Sequence, residues 1–224
     1  FIKVFQTGFG RPLHKSKDNA YSSEELDALV SESHSHGRKV ASHAVGGAGL
    51  RMSIEAGVDT IEHGSYLNQD PDLLNMMAGE GIFFVPTFTV FNFHRTQGNP
   101  TAQEECRDFR QGHVESLQLA LKAGVKVVAG TDAGGWGHGN NAEELECLVA
   151  AGMTPMQALV AGTRWASECC GLEKDVGTVE RGKFADLVLV AGDPLSDITV
   201  LQDKNRIKLV MKEGTIYSNQ LGDD

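Results

Sequence analysis

Four times along this 224-residue chain, a segment of helical periodicity ends in glycine and a short apolar run begins at once, at Gly37, Gly57, Gly81 and Gly124. Glycine just past a helix end suits the left-handed cap with which helices commonly stop. In the first three repeats the sixth residue after the glycine is polar and closes the apolar run: His43, His63 and Thr87. The fourth run is two residues longer and closes on Asp132. Strands alternating with helices through short connections predict an α/β fold with a parallel sheet. Polar residues gathered at one strand end, with long loops after them, favour a (β/α)8 barrel, whose sites lie at the C-terminal ends of its strands. A doubly wound open sheet is the alternative, but no G-x-G-x-x-G fingerprint follows a strand here.

The stretch 124–139 is the chemical focus. Val125, Val127, Val128 and Ala129 form the near-continuous apolar run of a strand covered on both faces. Asp132 follows where the strand emerges, among glycines that let backbone approach a ligand closely. Upstream, Phe1-Ile2-Lys3-Val4-Phe5 reads as a buried strand and residues 6–21 as a loop. Ser22-Ser23-Glu24-Glu25 is a capping box opening a helix with Leu26, Leu29 and Val30 on one side. Strands are expected at 38–43, 58–63 and 82–87, with helices near 50–56, 71–78 and 102–123. A loop containing His94 is expected to follow Thr87. Beyond Asp132, helices start near Asn140 and at Thr154-Pro155-Met156-Gln157, the second running to about Cys170. From Val176 the pattern changes to two hairpins, at 179–190 and 207–217. The division expected is 1–173 for barrel elements and 174–224 for a small β appendage. Five barrel strands are counted, so three more, preceding Phe1, are expected to complete the eight.

Composition excludes several classes of partner. With 41% hydrophobic and 22% charged residues the chain is ordinary for a globular protein. A formal charge of −10 argues against nucleic acid or an anionic membrane as main partner. No apolar run approaches a membrane span. Cys106, Cys147, Cys169 and Cys170 lack C-x-x-C spacing and read as reduced thiols of a cytoplasmic protein.

His43, His63 and Asp132 each close a different strand. Two neutral imidazoles and a carboxylate at a barrel mouth suit Zn²⁺ or a similar divalent ion. Any one of them alone is better explained as a cap or loop contact; three in one register favour a shared site. Lys3, flanked by Phe1, Ile2, Val4 and Phe5, is a lysine whose burial lowers its pKa. A neutral amine there can take up carbon dioxide as a carbamate, or Lys3 can pair with a barrel carboxylate. His94 and His138 follow strands ending at the mouth and are candidates to touch substrate. His34 and His36 fit a helix C-terminus, His113 a solvated helix face, and His14 a loop.

His43-Ala44-Val45-Gly46-Gly47-Ala48-Gly49, Ile61-Glu62-His63-Gly64, Val85-Pro86-Thr87 and Gly130-Thr131-Asp132-Ala133-Gly134 together resemble the metal-dependent amidohydrolase superfamily. The tail, from Gly177-Thr178-Val179-Glu180-Arg181-Gly182 through Asp186 to Gly192-Asp193-Pro194, is similar to the segment re-entering that family's small β-sandwich. The nearest likeness is to the prolidase- and carboxypeptidase-like branch, which cleaves dipeptides, N-acyl amino acids and amides such as ochratoxin. The resemblance implies that the chain carries strands 4–8 of the barrel and part of the sandwich. It implies two metal ions, usually zinc, with Lys3 as a bridging carbamate, His43 and His63 holding one ion and Asp132 helping to hold the other. The family's His-x-His pair from the first strand is not in this sequence and is expected upstream.

The expected reaction is hydrolysis of an amide bond in a dipeptide or N-acyl amino acid, by a metal-bridging hydroxide with Asp132 carrying the proton. Arg11, His94 and His138 are candidates for the substrate carboxylate, and a homo-oligomer is expected. One alternative is a mononuclear hydrolase of a cyclic amide or amidine, similar to imidazolonepropionase, with Lys3 unmodified. Another is a non-catalytic relative that keeps the fold.

Overall fold

In the computed structural model, residues 1–8, 18–134 and 138–221 are described, apart from the Asp108 side chain. The chain divides into two compact units, Phe1–Trp136 and Gly137–Asp224.

The first unit alternates β1 (Ile2–Phe5), α1 (Ser23–Ser35), β2 (Val40–Ala44), α2 (Gly47–Glu55), β3 (Thr60–His63), α3 (Pro71–Glu80) and β4 (Phe83–Val85). These strands form one sheet in the order β1-β2-β3-β4, every pair parallel. The glycines expected to stop the helices do so with left-handed backbone, at φ 63° for Gly37, 77° for Gly57, 71° for Gly81 and 84° for Gly124. The capping box at the start of α1 is also present: Ser22 Oγ accepts from the Glu25 amide, and the Glu25 carboxylate accepts from the Ser22 amide at 2.8 Å.

Strand alternation divides the sheet into two faces. Val4, Val40, Ser42, Ala44, Ile61 and Phe84 lie on the face packed by helices, and all are buried. Leu26 and Val30 of α1, Leu50 and Ile54 of α2, and Leu73, Leu74 and Met77 of α3 complete that layer. Its one buried polar strand residue is satisfied, because Ser42 Oγ meets Ser53 Oγ of α2 at 2.9 Å. Lys3, Phe5, His43, Thr60 and Glu62 share the other face through the registers Lys3↔Ala41, Phe5↔His43 and His43↔Glu62. The sheet therefore sorts apolar bulk from chemistry.

Two expectations in this unit are corrected. The segment after Thr87 is a helix, α4 (Phe88–Gln97), followed by α5 (Pro100–Ala123). Its aromatic composition is a poor helix signal, but the Phe91 ring packs edge-on against Phe109 of α5 at 4.9 Å, and this packing overrides propensity. The fifth apolar run is reduced to an isolated parallel bridge between Phe84 and Val127. It is held by Phe84 N donating to Lys126 O at 3.0 Å and Val128 N to Phe84 O at 2.8 Å.

The second unit contains α6 (Glu143–Ala150), α7 (Pro155–Gly162), α8 (Arg164–Cys170) and an antiparallel sheet of β5 (Leu187–Val190), β6 (Ile207–Lys212) and β7 (Thr215–Asn219). The Thr154–Gln157 capping box forms. The helix it opens does not run unbroken to Cys170: Thr163 leaves helical geometry at φ −129°, ψ −87°. Its hydroxyl donates to Leu159 O at 2.6 Å, a back-bond that competes with the helix ladder. Of the hairpin expected over 179–190, only Leu187–Val190 is strand, and it pairs with β6. The second hairpin forms as expected, turning on Glu213 and Gly214 at φ 50° and 78°, the two left-handed residues that match strand twist.

Among the described residues no helix is long and apolar enough to cross a membrane. The four cysteines are free, with Cys106 and Cys169 buried, Cys147 half-buried and Cys170 exposed.

Candidate functional site

The strand ends are where the backbone departs from ordinary geometry. Glu213 apart, the described non-glycine residues with positive φ are His63 at 74°, Thr87 at 57° and Asp132 at 51°. All three are polar residues that close apolar runs in the sequence. For a β-branched residue such as Thr87 this conformation is a real outlier, and such strain persists where surrounding structure over-determines it, often at functional sites.

The left-handed turn has a direct consequence at His63. The register Ala44↔His63 and strict alternation would aim its side chain to the helix-covered face, away from His43. Instead the two imidazoles meet edge to face with centroids 4.2 Å apart. His43 also stacks on Phe5 at 4.9 Å, and His63 packs against Phe91 of α4 at 5.6 Å. His63 Nδ1 lies 2.7 Å from Thr87 Oγ1, whose hydroxyl donates to Pro86 O at 2.6 Å.

Burial and charge act together on this group. Burial, then the Lys3 charge, pushes His43 down to about 4. Burial carries His63 well below the ordinary histidine value, with His43, Lys3 and His113 adding in the same direction. Both imidazoles are neutral at pH 7. Lys3 retains solvent access by surface area, yet the atoms crowding it lower its pKa, with Glu62 and Asp132 opposing. Asp132 shows the same contrast, and its pKa is raised by burial, with Lys3 opposing. Solvent contact at one side of a crowded side chain does not restore full hydration. Lys3, His43, His63 and Asp132 thus fall in one electrostatic neighbourhood.

Glu62, which is not among the residues expected from the sequence, belongs there too. It shares the Lys3 face, accepts from Thr60 Oγ1 at 2.7 Å, and has its pKa raised by burial against the pull of Lys3. The signal was the period-two pair Thr60 and Glu62, which puts both on one face of the strand with the apolar Ile61 between them on the other. His113, expected on a solvated helix face, is instead 1% exposed. Its signal was the buried α5 stripe Ala102, Cys106, Phe109, His113, Leu117 and Ala120, at spacings of three and four. His113 lies against Phe88, Phe91 and Phe109, faces the backbone carbonyls of His63 and Pro86, and leaves Nε2 without a partner.

His94 is half-buried on α4 with its ring against Phe93 at 5.4 Å. His138 belongs to the second unit and is exposed. Arg11 and His14 lie outside the described residues. His34 and His36 are structural, bonded to Asp59 at 2.9 Å and Glu32 at 3.0 Å.

Against this geometry, the Amidohydrolase family pattern matches residues 4–217. The chain belongs to the amidohydrolase family. It is 32% identical to the ochratoxinase of Aspergillus niger over 203 residues, covering 88% of this chain and 42% of that protein. A crystal structure of a Xaa-Pro dipeptidase with bound methionine superposes with TM-score 0.87 and 32% identity, covering 97% of this chain and 54% of the other. A prolidase complexed with N-methylphosphonate-L-proline superposes with TM-score 0.87 and 28% identity, over 97% of this chain and 55% of the other. The chain spans about half the length of these relatives.

Donor chemistry at the site fits a divalent cation in part. Two neutral imidazoles in contact, His63 buried and His43 half-buried, are the nitrogen pair such an ion takes, and the Thr87 contact orients His63 as metal-bound histidines are commonly oriented. Among the described residues no group of three or more His, Cys, Asp and Glu side chains is close enough to hold an ion. Lys3, whose charge acts on both imidazoles, is a candidate for a further donor.

Proposed function

We propose that this chain supplies strand-end residues to a metal-dependent hydrolase that cleaves the amide bond of a dipeptide or N-acyl amino acid. The observation that carries it is the His43–His63 pair, neutral and 4.2 Å apart, with the Lys3 charge acting on both rings and on Asp132. The substrate class rests on likeness to the ochratoxinase and the Xaa-Pro dipeptidase.

His43 and His63 would hold one cation. Lys3, whose surroundings disfavour ammonium, would add carbon dioxide and release a proton to become a carbamate serving both ions, with Asp132 contributing to the second. When bound, the cations, most simply zinc, supply Lewis acidity to the attacking water and the scissile carbonyl. The C–N bond breaks as water oxygen joins the carbonyl carbon. Asp132 takes a proton from that water and delivers it to the departing nitrogen, giving a carboxylate and an amine. Its raised pKa suits this work, since a carboxylate that binds a proton more readily can both accept and return it.

In this proposal residues 1–173 carry strands 4–8 of a (β/α)8 barrel and residues 174–224 part of a small β-sandwich. Sequential parallel pairing of β1 to β4, with Val127 bridged to β4, supports the first. The apolar residues Val188, Leu189, Ile216 and Tyr217, left exposed on the three-stranded sheet, support the second.

Asp132→Asn, which keeps size and loses the proton carrier, should lower kcat on dipeptides about 10²- to 10⁴-fold while leaving the melting curve unchanged. Near-normal kcat would remove Asp132 from the mechanism. Metal analysis should find two ions per active site, and ¹³C-labelled bicarbonate should give a carbamate signal lost in Lys3→Ala.

A further inference from the structure

Most of the polar strand-end residues have a place in that chemistry; Thr87 has none, although its backbone is the least comfortable of the set. A branched Cβ at φ 57° is rarely adopted, and glycine would sit there freely. Something about the side chain must favour threonine.

The hydrogen bonds around it run in only one direction. Pro86 O is a carbonyl and can only accept, and it lies 2.6 Å from Thr87 Oγ1. The single hydroxyl proton is therefore committed to Pro86. His63 Nδ1, 2.7 Å from the same oxygen, must then bring its own proton. A neutral imidazole has one N–H, so Nε2 is left as a bare lone pair. The bond is buried, with Thr87 2% and His63 4% exposed, so water does not compete for it. His113 reinforces the arrangement from behind, since the carbonyls it faces belong to His63 and Pro86.

We propose that Thr87 is a positioning residue that fixes His63 as the Nδ1–H tautomer, aiming an unprotonated Nε2 at whatever electron-pair acceptor the site binds. The left-handed backbone at His63 and Thr87 is the distortion that puts ring and hydroxyl in line. The identity of that acceptor as a divalent cation rests on the function proposed above; the tautomer does not.

The test is long-range ¹H–¹⁵N spectroscopy of ¹⁵N-histidine-labelled, chelator-treated protein at neutral pH, with the His63 resonances assigned by their loss in His63→Asn. The expected spectrum has a protonated Nδ1 and a bare Nε2. A protonated Nε2 overturns the proposal. Thr87→Val, which keeps shape and removes the acceptor, should erase the preference for Nδ1–H and weaken zinc binding about 10- to 100-fold. Thr87→Ser should retain both. Thr87→Gly relieves the backbone, so loss of the tautomer there in a folded protein assigns the effect to the hydroxyl rather than to packing. An unchanged tautomer in both the valine and glycine variants also overturns the proposal. Wild-type protein with the Nδ1–H tautomer but no affinity for zinc would support Thr87's role while sinking the metal-dependent reading of the site.

Discussion

Gly8 holds open the space that the His43 ring occupies. A Cβ built there would stand 2.7 Å from His43 Nε2, and φ is already 91°. Gly8→Ala should therefore push the imidazole aside, costing about 1–3 kcal/mol in urea unfolding and at least tenfold in zinc affinity by titration calorimetry. Equal affinity in the two proteins would mean that His43 is not a ligand. His113 sets a different limit. Burial pushes it down to about 3 from the ordinary 6.5, with the carbonyls of His63 and Pro86 pulling weakly upward. The folded state resists that proton and the unfolded chain accepts it. Stability should fall as pH drops from about 6.5 towards 3 and level off below. His43 acts in the same sense from 6.5 down to about 4. Glu62 and Asp132, with raised values, act in the opposite sense near their own lower range. Urea midpoints at pH 7, 5.5 and 4 should decline in wild type and decline less in His113→Phe.

At the scale of elements, the pair α4 and α5 is the support on which the histidine site rests. Phe91 touches His63 at 5.6 Å, Phe109 at 4.9 Å and His113 at 5.3 Å, so one aromatic cluster joins the site to the helix pair. Phe109→Ala should cost about 3–5 kcal/mol, the usual toll for emptying a packed aromatic position. Because α4 has weak intrinsic helicity, its amides should lose hydrogen-exchange protection first in that variant. Uniform loss across the first unit would show instead that α4 is not a separate packing unit. The capping boxes of α1 and α7 work the other way: each satisfies its helix start from within four consecutive residues.

For the molecule as a whole, a ligand that binds only the folded state adds stability by mass action. Zinc at about 100 times its dissociation constant should contribute about 2.7 kcal/mol, raising Tm in wild type. The rise should vanish in His43→Ala and in His63→Ala, while a rise of equal size in either would place the ion elsewhere. One face of the sheet is packed by α1 to α3, and the other collects Lys3, His43 and Glu62.

The sequence by itself determined the helix–strand rhythm, the glycine stops, both capping boxes, the parallel class of the sheet and the strand-end residues His43, His63 and Asp132. Those features are legible because each is satisfied locally, by residues within one turn or one strand of each other. Tertiary structure decided the rest. It folded Phe88–Gln97 into a helix against α5 and broke the segment 155–170 at Thr163. It buried His113 and placed Glu62 beside Lys3. It also imposed the left-handed turns at His63 and Thr87, without which strand alternation would have kept the two histidines on opposite faces. Backbone strain of that kind has no local pattern, because what compensates it is packing and hydrogen bonding from segments distant in the chain.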